Sequence, residues 1–183
     1  MLWTRTIFEP FSRTPSGARF WKRARALATQ DVAERTADGA LLIQFRLGDG
    51  RYALPAHYAR EIQPLRAYTP LFGVPPFIVG LVNIHGRLYT CIDLRPLLDL
   101  PGAPPTPGSF LIIIQGSGAE AALLADSVVG MVTGALDASP APVMASSAAI
   151  SWIRGVDRDL SIVIDPIALL TDPRLIVDHQ AAA

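Results

Sequence analysis

A mainly β fold, built from two similar small β-units that share one core, is the fold class that this sequence predicts. Short apolar runs recur at close spacing between turn residues, a pattern that favours small barrels or a sandwich over a parallel α/β sheet. Both halves close on the same pattern, Ile-Asp-x-x-x-Leu-Leu, at 92–98 and again at 164–170. Neither half, at about 40–100 or about 109–172, is large enough to bury a comfortable core alone, so we expect the units to pack together.

The first half is predicted to open with a hairpin. Within 41–47 the apolar side chains at 41, 43, 45 and 47 face one way, and Gln44 and Arg46 face the other, as in a half-buried strand. Residues 51–54 return after a turn from Gly48 to Gly50. A helix is then predicted from 55 to 63, because Pro suits a first helical turn and apolar residues follow at helical spacing. Those apolar residues are Ala56, Ala59 and Ile62.

A strand, a tight turn, a second strand and a short helix are predicted at 79–98. The stretch before them, 64–77, is rich in proline and glycine and predicts an irregular connection. The turn lies at 83–87, where Gly86 can adopt a positive φ that a side chain would resist. Asp93 ends the second strand and is predicted to cap the helix, because its carboxylate can accept hydrogen bonds from the free amides that follow.

The second half repeats this order of elements after a proline- and glycine-rich linker. Its predicted elements are a strand at 110–115, a glycine turn at 116–118, a strand at 121–126, a helical or extended segment at 127–136, a loop at 137–147 and a hairpin at 150–164. Gly155 and the turn at 157–159 are assigned to the bend of that last hairpin. Asp165 is predicted to cap a helix ending at Leu170.

The composition argues against several classes of protein. The formal net charge is zero, but residues 1–30 hold six basic residues against one acidic residue, which leaves the remainder at −5. The body is therefore not expected to bind nucleic acid, and its apolar runs hold too many Pro and Gly for a membrane-spanning helix. The lone Cys91 and the lack of a signal-peptide core predict a cytoplasmic protein.

The two ends of the chain are set apart from this body. Residues 1–39 are predicted to be a basic extension, helical or poorly ordered, and residues 173–183 a tail. A helix that docks on a partner or on a membrane surface is the alternative interpretation of the extension.

Groups that could carry catalysis or bind a metal are scarce. The three histidines are His57, His85 and His179. None has a partner at metal-ligand spacing, and Asp93 and Asp165 are explained as caps, so no enzyme activity, metal or cofactor is predicted. The polar positions that stand out in apolar surroundings are 83–87 and Glu61, either as a contact surface or as ordinary turn and helix-end chemistry.

Several short motifs follow one another in a specific order. They are the strand, glycine turn and Tyr-Ala-Leu-Pro at 45–55, Glu-Ile at 61–62, Pro-Pro-Phe-Ile-x-Gly at 75–80, the turn at 83–86, Ile-Asp-Leu-Arg at 92–95, and Asp126. In this order, over about residues 40–172, the chain resembles the CheW-like family, the adaptor proteins of bacterial chemosensory arrays. The resemblance implies two intertwined five-stranded Src-homology-like β-barrels with short helices, and a non-enzymatic role.

The resemblance also implies the partners. It predicts an adaptor between the cytoplasmic tip of a methyl-accepting chemoreceptor and the regulatory domain of a CheA-type histidine kinase, which meets the membrane only through the receptor. Carried over by position, the partner-binding region comprises Asn83, His85, Gly86 and Glu61. Two alternatives stay open: an adaptor of a type IV pilus or other chemosensory pathway, and a small-molecule-binding module whose pocket is roofed by 64–77.

One position departs from the family pattern. The third residue of the Asn-x-Arg-Gly turn is His85, and an arginine, Arg87, follows two places later. Arginine carries a permanently charged planar fork of donors, whereas histidine is smaller and only partly charged near neutral pH. Losing one charge-assisted hydrogen bond would cost about 1.5–3 kcal/mol, so either Arg87 takes over this contact or the receptor partner is atypical.

Overall fold

The computed structural model describes residues 40–134, 150–157 and 159–175. Within these residues the chain is mainly β, as predicted. The strands are β1 Ala40–Leu47, β2 Gly50–Pro55, β3 Ala59–Pro64, β4 Thr69–Pro70, β5 Ile78–Ile84, β6 Arg87–Ile92, β7 Phe110–Gly116, β8 Ala119–Ala125, β9 Ser127–Gly134, β10 Ile153–Val156 and β11 Ile162–Ile164. The short helices are 3-10 turns at Ala56–Tyr58, Arg95–Leu97 and Ile150–Trp152, and the α-helix α1 at Pro166–Leu170.

These strands form two sheets, and each sheet combines strands from both halves of the chain. The first sheet has the order β10-β11-β2-β1-β9, and the second has the order β3-β7-β8-β6-β5-β4. Apart from the two-residue β4, the sheets match strand for strand: β5, β6, β8, β7 and β3 take the places of β10, β11, β2, β1 and β9. The predicted repeat is therefore confirmed. The halves are intertwined, because the β1–β2 and β7–β8 hairpins each pair with strands of the other half.

The repeat extends to irregularities of the backbone. Gly80 in β5 and Gly155 in β10 each follow a break in the pairing register, and their φ angles are 152° and 153°. A bulge of this kind needs a backbone conformation that glycine adopts more readily than other residues. The assignment of Gly155 to a turn is therefore wrong, since it lies inside β10.

The helix predicted from 55 to 63 is also wrong. Only residues 56–58 form a turn of 3-10 helix, and β3 follows and pairs with β7. A bulge between Ala59 and Glu61 inserts one extra residue, so Ala59 and Ile62, three positions apart, both pack against the core. Apolar spacing that indicated a helix was produced by a bulged strand.

The other predicted elements agree more closely with the structure. The hairpins at 41–54 and 110–125 are confirmed, and the segment after 127 is extended, as β9. The helix ending at Leu170 is confirmed, whereas the helix after Asp93 is a single 3-10 turn. Predictions that concern 1–39, 135–149, Arg158 and 176–183, the N-terminal extension among them, lie outside the described residues.

The predicted sharing of a core between the two units is confirmed. One apolar cluster contains Phe45 and Leu54 of the first sheet, Ile114 and Leu123 of the second, and the fully buried Trp152. Two smaller clusters each belong to one sheet, and the larger of these is in the second sheet. The second sheet, which carries the predicted partner turn, is therefore packed on both of its faces.

Candidate functional site

The β5–β6 hairpin ends in a two-residue turn at His85 and Gly86. Both residues have positive φ angles, 51° and 83°, as a type I′ turn requires. The side-chain oxygen Oδ1 of Asn83 accepts a hydrogen bond from the backbone N–H of Gly86 at 2.9 Å. Asn83 and Gly86 thus fix the conformation of the turn, and His85 stands at its tip with its side chain 76% exposed.

The side chain of Glu61, on β3, contacts the side chain of His85 at the tip of the β5–β6 hairpin. The distance between His85 Nε2 and Glu61 Oε1 is 3.0 Å, and the Glu61 side chain is 27% exposed. Because β3 is an end strand of the second sheet and the β5–β6 hairpin lies towards the other end, the contact shows that the sheet curls and brings β3 close to this hairpin. The structure therefore brings the predicted partner-binding residues together, with Glu61 on a strand and not on a helix.

Arg87 does not substitute at this contact for the arginine that the family pattern has at position 85. Its Nη2 lies 2.8 Å from Glu120 Oε2 on β8, and its guanidinium lies over the ring of Tyr89, 5.6 Å from the centroid. Arg60, the residue that bulges from β3, approaches the other oxygen of Glu120 at 3.0 Å. Sequence reasoning missed Arg60 and Glu120; the only signal of Glu120 was a lone carboxylate in the otherwise apolar β8.

Beside this ion-pair network, Leu88 on β6 presents an apolar side chain to solvent. Leu88 is 67% exposed, and the chain around it forms an open groove of about 800 Å³. The groove is lined by β6, β8, the β7–β8 turn and the short helix that includes Tyr58. An open surface of mixed polarity is typical of a contact with another protein, whereas small-molecule sites are concave and mostly apolar.

A second open groove, of about 340 Å³, runs along the other side of the β5–β6 turn. Asn83 and His85 line it, together with Arg66 and Tyr68 from the connection after β3. That connection does border a groove, as the small-molecule alternative required, but it also exposes Phe72, which is 92% accessible.

Asp93 belongs to a charge network at the end of β6 that is opposite the turn. Its Oδ1 accepts hydrogen bonds from the backbone N–H and from Nε of Arg95, both at 3.0 Å, so it supports the 3-10 turn. Arg95 is 2% exposed and also reaches Asp126 Oδ1 at 3.2 Å. The other oxygen of Asp126 accepts the backbone N–H of Gly48 at 2.6 Å. The network therefore connects the end of β6 to the β1–β2 turn of the first sheet.

The remaining predicted structural residues have local roles. Gly48 occupies the β1–β2 turn at a φ of 57°, and Gly50 begins β2, where a Cβ would lie 2.7 Å from the Tyr52 ring. Burial, with a smaller contribution from the Asp93 carboxylate, raises the pKa of Cys91 to about 12, which is consistent with inert packing.

Asp165 caps α1 in the way predicted for it. Its Oδ1 accepts the backbone N–H groups of Ile167 and Ala168 at 2.9 and 3.2 Å, and its Oδ2 lies 2.8 Å from an Arg154 nitrogen. Burial alone would raise the pKa of Asp165. The hydrogen bonds from Ala168, Arg154 and Ile167 outweigh burial and hold the pKa below its usual value.

This lowered pKa predicts a pH dependence of stability. A carboxyl group whose pKa falls on folding stabilises the folded state above its unfolded-state pKa, and the stabilisation is lost as the pH falls through the folded-state value. The Asp165→Asn variant keeps a capping oxygen but loses the charge, so we expect it to lose about 0.3–1 kcal/mol at pH 7 and less below pH 4, as measured by urea unfolding at several pH values. A difference from wild type that stays constant with pH would contradict this role for the charge of Asp165.

Two searches of the described residues bear on other functions. Within 40–134, 150–157 and 159–175, no group of three or more His, Cys, Asp and Glu side chains could hold a metal ion. No helix in this part of the chain is long and apolar enough to cross a membrane.

Comparison with known proteins identifies the family. The family model described as the CheW-like domain matches residues 41–174. The "Chemotaxis protein CheW" of Rhizobium meliloti is 31% identical over 129 residues, which are 70% of this chain and 83% of that protein. "Protein PilI" of Pseudomonas aeruginosa is 29% identical over 108 residues, 59% of each chain.

A solved structure supports the fold. The crystal structure of the scaffolding protein TtCheW from Thermoanaerobacter tengcongensis superposes with a TM-score of 0.59 at 21% identity, covering 69% of this chain and 87% of that one. With a family model that spans most of the body and a relative above 30% identity, the chain belongs to the CheW family of non-enzymatic chemotaxis adaptors.

Proposed function

We propose that this chain joins the cytoplasmic tip of a methyl-accepting chemoreceptor to the regulatory domain of a CheA-type histidine kinase. The observation that carries the proposal is the exposed β5–β6 turn, whose tip is tied to β3 by the Glu61–His85 contact. A turn held in one conformation is pre-organised for binding, because little conformational entropy remains to be lost when a partner docks. We infer that Asn83, Gly86 and Arg87 also belong to this contact surface.

The neighbouring face supports contact with a folded domain. Leu88 supplies an exposed apolar centre, and Arg60, Glu120 and Arg87 place charged groups near it. Protein interfaces commonly have this arrangement, with apolar residues at the centre and polar residues at the rim. Single exposed leucines are common on protein surfaces. Leu88, however, lies between ion pairs and a pre-organised turn, so we expect it to anchor a partner domain.

Replacing Leu88 with serine is expected to weaken binding of a partner domain about five- to thirtyfold. Loss of a central apolar anchor typically costs about 1–2 kcal/mol, while an exposed side chain contributes little to folding. The measurement is biolayer interferometry of the full chain against the kinase regulatory domain and against the cytoplasmic fragment of the receptor.

Leu160→Ser provides the matched control for this experiment. Leu160 is 80% exposed and lies in the β10–β11 turn of the other sheet. Equal weakening by both variants would show that the effect is not specific to the Leu88 face. Absence of binding by the wild-type chain to both partner domains at tens of micromolar would refute the proposed function itself.

The same surface could serve a different chemosensory pathway. The similarity to PilI favours an adaptor of a pathway other than swimming chemotaxis as the second candidate. Parallel binding measurements with the regulatory domains of the different CheA-type kinases of the source organism would separate the two, because the true partner should bind more tightly. We infer a cytoplasmic location for either role, with the membrane reached only through the receptor.

A further inference from the structure

The contact between Glu61 and His85 joins a carboxylate to an imidazole. Histidine is the side chain that ordinarily gains or loses its charge between about pH 5 and pH 8. The imidazole lies at the tip of the proposed binding turn and the carboxylate lies on β3, with 3.0 Å between Nε2 and Oε1. Protonation of His85 would therefore change the strength of the link between two elements of the proposed site.

The charged form of His85 resembles the family arrangement more than the neutral form does. A protonated imidazole donates a charge-assisted hydrogen bond to the carboxylate, which is about twice as strong as a bond between neutral groups. Arginine at this position would be charged at every pH in question. Protonated His85 thus carries the positive charge that an arginine would carry at this position, and neutral His85 does not.

Arg60, Arg66 and Arg87 do not take the place of a protonated His85 beside Glu61. Arg87, two residues along the chain, is paired with Glu120 on β8, and Glu120 is shared with Arg60 of β3. Arg66, from the connection after β3, lines the same groove as His85. No ion pair between Arg66 and Glu61 is found within the described chain, so His85 is the residue whose protonation would place a positive charge against this carboxylate.

We propose that Glu61 and His85 form a proton-dependent clamp that makes partner binding stronger at mildly acidic pH than at alkaline pH. The inference rests on the proposed function and adds a regulatory property to the same site. When His85 is protonated, the turn is held on β3 and the pair has no net charge. When it is neutral, the link is weaker and the site carries an uncompensated carboxylate.

The first test measures partner affinity between pH 5.5 and pH 8.5 for wild type, His85→Arg and His85→Asn. The wild-type chain is expected to bind about two- to fivefold more tightly at the acidic end, beyond any pH dependence of the variants. His85→Arg should bind tightly at all pH values, and His85→Asn weakly at all of them. Asparagine suits the comparison because it tolerates the positive φ that residue 85 adopts.

Two comparisons make the result decisive. Glu61→Gln removes the carboxylate that a protonated His85 would meet and should abolish the excess pH dependence of the wild-type chain, while any titration of the partner is common to all four proteins. If wild type, His85→Arg and His85→Asn had identical slopes of partner affinity against pH, the clamp would be refuted. If all three still bound the partner domains, the proposed adaptor function would be retained.

A second test needs no partner and follows the clamp in the isolated full chain by nuclear magnetic resonance. The backbone amide signals of Glu61 and Gly86 are expected to shift together between pH 5 and pH 8 in wild type, and to stay constant in His85→Asn. A Glu61 signal that does not move in wild type would refute the clamp even if binding to the partner domains failed for other reasons.

Discussion

Replacing Arg95 with alanine is expected to lower the free energy of unfolding by about 3–5 kcal/mol, because it leaves two carboxylates without their buried cation. The Arg95 side chain is 2% exposed, and its nitrogens lie 3.0 Å from Asp93 Oδ1 and 3.2 Å from Asp126 Oδ1. Asp126 is also tied to the first sheet through Gly48. The loss should appear in urea unfolding at pH 7 as a lower midpoint with little change in slope.

Arg154→Ala is the matched control for this experiment. Arg154 also pairs with an aspartate that follows a strand, Asp165, but its side chain is 38% exposed. An exposed ion pair contributes about 1 kcal/mol or less, because water already solvates both charges. A cost for Arg95→Ala no larger than that for Arg154→Ala would show that water or local rearrangement compensates the carboxylates of Asp93 and Asp126.

A second variant tests whether charge is the reason for the effect. Changing Asp93 and Asp126 to asparagine in the Arg95→Ala background removes the uncompensated charges while it keeps the side-chain shapes. Part of the lost stability should return, since breaking a buried ion pair is costly mainly through the charge that stays behind. If no stability returned, the loss would be due to the cavity left by the arginine side chain.

The turns of this fold were predictable from sequence because they depend on neighbouring residues. Gly48 and the pair Asn83 and Gly86 occupy turns that their own backbone preferences favour, so short patterns found them. The repeat was also visible, since Asp93 and Asp165 follow equivalent strands, although only Asp165 is the N-cap of the helix after it. Local chemistry of this kind leaves a signal within a few residues.

The parts that could not be predicted depend on residues far apart in the chain. The bulge that places both Ala59 and Ile62 on the core imitated the spacing of a helix, and pairing of β3 with β7 decided otherwise. The ion pair between Arg60 and Glu120 joins residues that are 60 positions apart in the sequence and lie on strands separated by β7. No periodicity within one segment could indicate that contact or the exchange of hairpins between the sheets.

The close approach of β4 to β5 gives the second large expected effect. Gly80 has a φ of 152°, and a Cβ built on it would lie 2.1 Å from the backbone oxygen of Thr69 and 3.0 Å from the Cα of Pro70. Backbone atoms cannot rotate away as a side chain can, so Gly80→Ala should force β4 off β5. We expect a loss of about 2–4 kcal/mol in the free energy of unfolding, from overpacking and backbone strain together.

Gly130→Ala separates the two causes of that loss. Gly130 in β9 has nearly the same backbone angle, a φ of 158°, but nothing lies within 4 Å of a Cβ built on it. It should therefore show the cost of the backbone angle alone, about 1 kcal/mol. Urea unfolding of both variants gives the difference, which measures how tightly β4 is held against β5. If the two variants lost equal stability, β4 could separate from β5 at little cost in free energy. Because Thr69 of β4 lines the groove beside Asn83 and His85, a partner could then displace one wall of that groove.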